Sequence, residues 1–261
     1  MILLLGGTSE TAPLAAALAA AGYAVVVSTA TEAALLLPEH PLVSRRCGRL
    51  DAAGMAALIR DAGAAALVDA THPYATEAQA NARAAARAAG VPYLRWQRPE
   101  TNLAEADGVI IADGHAEAAR LAFSFCRPVL LTVGSRHLTP YVQESQRTRL
   151  DVFARVLPLP ESLTACRLAG LPETAIIAAR GPFSVEENRA TIRKIAAGAI
   201  VTKDSGIEGG VPAKTEAARF EQCRVVVIRR PVETTTNTFR SVKELLRTLA
   251  ARERKTKDLA K

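Results

Sequence analysis

The sequence predicts an α/β fold of two Rossmann-like domains, with mainly parallel sheets and a ligand cleft between them. Short apolar runs of strand length alternate with alanine-rich stretches long enough for helices. Such alternation implies parallel sheets covered on both faces. It runs from Met1 to about Ala112 and restarts at Val129. Two groups of strands therefore predict two domains, 1–120 and 121–250, followed by a basic tail at 251–261. No Ser/Gly-rich linker separates them, which predicts close packing. In such sheets ligands bind beyond the carboxyl ends of the strands, so the loops there are expected to carry the chemistry.

Each element has a local reason. Met1–Leu5 reads as the first strand, followed by a helix near Ala12–Ala21. Tyr23–Ser28 is the second strand and Leu42–Arg45 a weaker third. Asp51 can cap a helix to about Asp61, because its carboxylate accepts from first-turn amides. Ala65–Asp69 is a strand. Thr76–Ala89 is a helix, with Gln79 three residues after Thr76 and Gly90 as its stop. Val91–Arg95 and Val109–Ala112 are strands again. In the second group the strands are Val129–Val133, Val152–Val156, Thr174–Ala178, Ala199–Thr202 and Arg224–Ile228. Ser184-Val-Glu-Glu187 is a capping box that opens a helix to about Ala197. Pro212 suits the first turn of a helix to Phe220. Ser241–Arg252 is a terminal helix with Leu245, Leu246 and Leu249 on one side.

Composition removes several classes. With 261 residues, 49% hydrophobic and 23% charged, the chain is neither disordered, collagen-like nor a disulfide-stapled miniprotein. Its longest apolar stretch, Leu14–Ala21, falls well short of the roughly 20 residues of a membrane span. Met1–Gly7 lacks the basic start of a signal peptide. Cys47, Cys126, Cys166 and Cys223 form no C-x-x-C pair and read as reduced thiols, so a cytoplasmic protein without a membrane is expected. His40, His72, His115 and His137 show no H-x-x-x-H spacing, and no metal site is expected. The net charge is +7, but residues 240–261 hold eight Lys/Arg against three acids. The rest carries 25 basic against 23 acidic residues. The basic end reads as a solvated tail or as a contact for nucleic acid or an anionic surface. At 4% aromatic content there is no stacking platform for single strands, and no nucleic acid partner is expected.

The loops carry the chemistry. Gly6-Gly7-Thr8-Ser9-Glu10 directly follows the first strand. Glycine lets backbone amides approach a phosphate, and a following helix offers its positive end. The same residues could form a plain turn, since the full G-x-G-x-x-G fingerprint is absent. At the end of the second strand Ser28 and Thr29 stand where an NAD site usually carries an acid. Arg45 and Arg46, at the end of the third strand, could supply charge for a 2′-phosphate or be a solvated surface pair. The combination predicts NADPH rather than NADH. Val68-Asp69-Ala70-Thr71-His72-Pro73-Tyr74-Ala75 crowds polar side chains at another strand end.

An ordered set of motifs then carries a resemblance. The run Asp69–Ala75, with Gly6–Glu10, Tyr93-Leu94-Arg95 and Arg98-Pro99, resembles the precorrin-6A reductase family of cobalamin biosynthesis. So do Leu131–Ser135, Arg155–Pro158, Gly181-Pro182-Phe183, Val201–Gly206 and Arg229-Arg230-Pro231. The matches span about residues 1–231 in order, and both the metal-free and the cobalt-dependent reductases share them. The resemblance implies two α/β domains with ligands in the cleft between them. It also implies hydride transfer from NADPH to C19 of precorrin-6A or its cobalt form, with a proton added at C18, to give precorrin-6B. One departure is visible: Ala213 stands before Lys214 where the family often carries an acid.

A precorrin is a polycarboxylate, ionised at neutral pH because carboxyl pKa values lie near ~4. Its pocket needs cations and N–H donors. The candidates are Arg95, Arg98, Arg136, Arg180 and Lys203, with Ser135, Gly181 and Ser205 beside them. Each of the charged residues could also be an ordinary surface residue. Gly6, Gly7, Thr8, Ser9, Glu10, Ser28, Thr29, Arg45, Arg46 and Thr71 are the cofactor-binding candidates. The nicotinamide supplies the redox chemistry, so the chain needs at most a proton donor. His72, Tyr74 and Asp204 are the catalytic candidates, with His72 suited by its ordinary pKa. Each has a structural alternative, and water could deliver the proton. Two other functions compete: an NADPH-dependent reductase of a different small molecule, and a non-catalytic NADP(H)-sensing protein whose basic tail contacts DNA. A Tyr-x-x-x-Lys pair is absent at Tyr74, which counts against the first. The chain is expected to be a monomer or small homo-oligomer.

Overall fold

The computed structural model describes residues 1–32, 35–97, 108–206, 209–231 and 237–259, with side chains as far as 254. Two compact units emerge, each built on a six-stranded parallel sheet. In chain order the first unit begins with β1 (Ile2–Leu5), α1 (Thr11–Ala20), β2 (Val25–Thr29), β3 (Val43–Cys47) and α2 (Ala52–Asp61). It continues through β4 (Ala66–Asp69), α3 (Thr76–Ala88) and β5 (Tyr93–Trp96). The second unit holds β6 (Val109–Ala112), α4 (His115–Phe123), β7 (Val129–Leu131), α5 (Thr139–Thr148), β8 (Val152–Val156) and α6 (Pro160–Leu168). It closes with β9 (Ile176–Ala178), α7 (Val185–Ile195), β10 (Ala199–Lys203), α8 (Val211–Phe220) and β11 (Arg224–Ile228). β12 (Thr238–Phe239) and α9 (Val242–Leu259) follow.

Sheet one runs β12-β5-β4-β1-β2-β3 and sheet two β6-β11-β10-β7-β8-β9. Their central strands are buried on both faces, which explains the unbroken apolar runs Ile2–Leu5 and Val225–Ile228. Alternate residues of β1 serve opposite faces. Ile2 and Leu4 pack with Leu14, Leu18, Leu245 and Leu249, whereas Leu3 and Leu5 pack with Met55, Ile59, Ala82 and Ala85. Alanines line the sheet side of α3, so that helix lies close to the strands.

Three expectations are corrected. The predicted split at 120/121 gives way to one unit of Met1–Pro99 and Pro231–Lys261 and another of Glu100–Arg230. The reason is strand pairing. β6 joins sheet two in register with β11, Val109 opposite Val225. β12 joins sheet one, with Thr238 opposite Arg95. The predicted tail at 251–261 is helical as far as Leu259, because α9 continues past Arg252. The capping box at Thr76 is absent as well. Ala75 is the N-cap of α3, and the Gln79 amide donates to the carbonyls of His72 and Pro73 at 3.1 and 3.2 Å. Asp51 and Ser184, by contrast, cap α2 and α7 as expected, Asp51 accepting the Gly54 amide at 2.8 Å. Among the described residues no helix is long and apolar enough to cross a membrane.

Candidate active site

In doubly wound sheets the strand order reverses at one point, and the crevice beyond it takes the ligand. In sheet one that point lies between β1 and β4. The loop after β1 places Gly7 at φ +111°, which favours glycine, and leaves its Cβ position open. A Cβ on Gly6 would meet Thr11 Cγ2 at 2.3 Å, so glycine is needed there for packing. The Gly7 and Thr8 amides, read in sequence as phosphate donors, donate to Thr11 Oγ1 at 3.0 and 3.1 Å. The Thr8 hydroxyl donates across to the Ala70 carbonyl at 3.0 Å, and Ser9 donates to Glu10 at 3.3 Å.

Ser28, Thr29, Arg45 and Arg46 come together because β3 lies beside β2, with Ser28 opposite Arg46. The Arg46 guanidinium donates to Ser28 Oγ at 3.0 Å and to the carbonyls of Gly48 and Cys47. Arg45 reaches Thr29 Oγ1 at 3.3 Å.

The β4 end is organised by a residue that the sequence placed in a motif but gave no role. Asp69 is fully buried. Its Oδ1 accepts from the Thr71 amide and hydroxyl at 2.9 and 2.7 Å, and its Oδ2 from the Tyr93 hydroxyl at 2.6 Å. Burial first, then the Asp69 charge, push the Tyr93 phenol well above its ordinary value, so it stays protonated as a donor. Arg95, read as a substrate ligand, is only 1% exposed. Its guanidinium donates to the Asp69 and Thr71 carbonyls at 2.9 Å each and pairs with the Asp69 carboxylate at 3.3 Å. It therefore ties the β4 loop to β5. His72 and Tyr74 lie half-buried on that loop, ring centroids 5.6 Å apart. The Tyr74 amide donates to His72 Nδ1 at 3.3 Å, which puts the ring proton on Nε2. Arg98 lies outside the described residues.

In sheet two the order reverses between β7 and β10. The loop after β7 carries Ser135 and the exposed Arg136, entered through Gly134 at φ +80°. The end of β10 carries Lys203, Asp204 and Ser205. Burial, then the Arg136 charge, push Lys203 below its ordinary value. Asp204 pairs with the buried Arg230, 3.0 Å from Nε to Oδ2, and its carbonyl accepts from the same guanidinium at 2.8 Å. Arg180 and Gly181 are exposed after β9.

The sequence reading gives no role to two further groups. His115, the first residue of α4, and His137, in the loop after β7, stack at 4.5 Å, with Tyr141 Oη 2.9 Å from His115 Nδ1. Arg155 stacks on Phe183 at 3.9 Å, donates to Asn188 at 2.8 Å, and keeps one buried guanidinium nitrogen without a hydrogen bond. Lys214 is 8% exposed and donates to the Gly209 carbonyl at 2.7 Å. Burial, then Arg155, push it down to about 8. The Arg155-Val-Leu-Pro158 motif is the sequence signal for the second group.

Two parallel sheets whose polar side chains gather where the strand order reverses define a doubly wound α/β protein of the ligand-handling kind. The comparisons then narrow the class. Residues 1–250 match the model of the precorrin-6x reductase family CbiJ/CobK, and the chain belongs to that family of reductases. It is 33% identical over 232 residues to the cobalt-precorrin-6A reductase of Priestia megaterium, covering 88% of this chain and 91% of that one. To the precorrin-6A reductase of Rhodococcus erythropolis it is 33% identical, covering 88% and 89%. The solved structure of CobK precorrin-6A reductase superposes with a TM-score of 0.76 at 28% identity, covering 96% of each chain.

Proposed function

We propose that this chain reduces precorrin-6A, metal-free or cobalt-bearing, to precorrin-6B with NADPH during cobalamin biosynthesis. The family match over residues 1–250 is the observation that carries this reading. The donor set at the β2 end fits NADPH: two hydroxyls and two guanidiniums, Ser28, Thr29, Arg45 and Arg46. When bound there, the cofactor supplies the hydride that goes to C19.

The remaining work falls to the chain's own groups. Ser28 and Arg46 hold the 2′-phosphate side, while Gly7, Thr8, Ser9, Glu10 and Thr71 shape the crevice between β1 and β4. Arg95 acts through Asp69 as a positioning residue for Thr71 and His72. His72 carries a proton on Nε2 and is the catalytic candidate for proton transfer at C18, with Tyr74 packed beside it. Asp204, held by Arg230, is the third catalytic candidate. Arg136, Arg180 and Lys203, with Ser135, Gly181 and Ser205, face the substrate's carboxylates.

Loss of reduced-nicotinamide absorbance with enzymatically prepared precorrin-6A, then with its cobalt form, tests the proposal. Oxidation with either supports it. NADPH binding with neither compound reduced would leave the fold and overturn the substrate.

A further inference from the structure

The switch point of sheet two gathers more than the cations the sequence pointed to. His115 opens α4 directly after β6, and His137 lies in the loop after β7. Their rings stack with centroids 4.5 Å apart and planes 26° apart. Tyr141 on α5 is fully buried and meets His115 edge-on, its hydroxyl 2.9 Å from Nδ1. Burial holds that phenol well above its ordinary value, so it keeps its proton. The Tyr141 hydroxyl and His115 Nδ1 share a hydrogen bond whose direction follows the His115 tautomer. One imidazole is therefore tethered to a buried hydroxyl, and the second, exposed, lies against it.

We infer that the stacked His115–His137 pair, with Arg136 and Lys203 beside it, binds a carboxylate arm of the substrate, and that docking of the arm brings a proton onto His137. The inference rests on the reductase reading for the identity of the substrate, and on the geometry for the site.

The electrostatics agree. Among the described residues, the titratable and charged groups acting on His137 are His115 from α4, Lys203 from β10 and Arg136 in its own loop. Burial, then Lys203 and Arg136, push His137 below its ordinary value. Burial, His137 and Lys203 push His115 down to about 4. Both rings are thus neutral at pH 7 in the free chain. A carboxylate against Arg136 and Lys203 cancels the repulsion that keeps the proton off His137. A solvent proton then adds to a ring lone pair and is shared with the carboxylate. No electrons move, and one positive charge is gained for the negative charge brought in. His115 stays neutral, because burial, His137 and Lys203 hold it at about 4.

Imidazole nitrogen NMR against pH, on the whole chain, reads this directly. It would be run alone, with citrate as a simple polycarboxylate probe, and with precorrin-6A; His137→Gln assigns the signal. Either carboxylate is expected to raise the His137 midpoint by about one pH unit, while His115 does not titrate near neutrality. Arg136→Gln, an exposed change that spares the core, is expected to raise the midpoint of the free chain and shrink the ligand-induced rise. His137→Gln is expected to raise KM for precorrin-6A by about threefold to tenfold. Turnover of precorrin-6A with an unmoved His137 would overturn the inference and leave the reductase reading intact. Citrate moving His137 while precorrin-6A neither binds nor reacts would keep the anion site and overturn that reading. An unmoved midpoint with both carboxylates, or an Arg136→Gln chain that behaves as the parent, sinks the inference.

Discussion

At the scale of single residues, burial decides what a charged side chain does. Arg46 and Arg95 are both arginines near strand ends, yet Arg95 is sealed against Asp69 while Arg46 reaches Ser28 on the half-buried edge of sheet one. Removing one partner of a buried ion pair leaves the other uncompensated. Asp69→Asn is therefore expected to destabilise the fold by about 3 kcal/mol, measured by urea unfolding. Arg46→Ala is expected to weaken NADPH binding about tenfold in a fluorescence titration and leave NADH binding nearly as it was. His72→Ala is expected to lower turnover by about 100-fold with NADPH affinity nearly kept. Equal turnover in mutant and parent would remove His72 from proton transfer. His72 itself was legible from its crowded motif. Asp69 carried no such signal as a hub, because its partner Tyr93 is brought beside it only when β5 pairs with β4.

Elements were the most legible level. The strands β6, β8 and β11 occupy the residues their apolar runs predict, since such a run between breakers is a local property. Capping is equally local where Ser184 and Glu187 satisfy each other across the first turn of α7. Ser184→Ala is expected to cost about 1 kcal/mol in the same unfolding measurement. The pattern misleads at α3, where Gln79 has the right spacing for a capping box but is drawn to the carbonyls of the β4 loop instead. It is silent at β12, whose two residues Thr238–Phe239 are too few to show a period.

For the molecule as a whole, pH dependence gathers in groups that folding buries. Lys214 has an ordinary value of 10.5 and is pushed down to about 8 by burial and by Arg155. Between those two values the unfolded chain binds the proton and the folded chain does not, so stability from this group rises as pH rises. Below about pH 8 both states bind the proton and the full penalty of burying the charge remains. Lys214→Met is expected to stabilise the chain at pH 7 by on the order of 1–3 kcal/mol and to flatten the slope between pH 8 and 10.5. An unchanged slope in the variant would place the proton uptake elsewhere.

The sequence by itself determined the α/β class, the approximate positions of strands β1 to β11, the family and the residues of the hydroxyl–arginine set at the β2 end. All four rest on residues close in the chain or on adjoining strands. Tertiary structure alone decided that β6 leaves its neighbours for sheet two and that β12 returns to sheet one, because strand partners are chosen by pairing and burial across the fold. It also decided that Arg95 is buried against Asp69 and that His115 stacks on His137. Those contacts join loops far apart in sequence, and no spacing along the chain encodes a distance that only the parallel sheet creates.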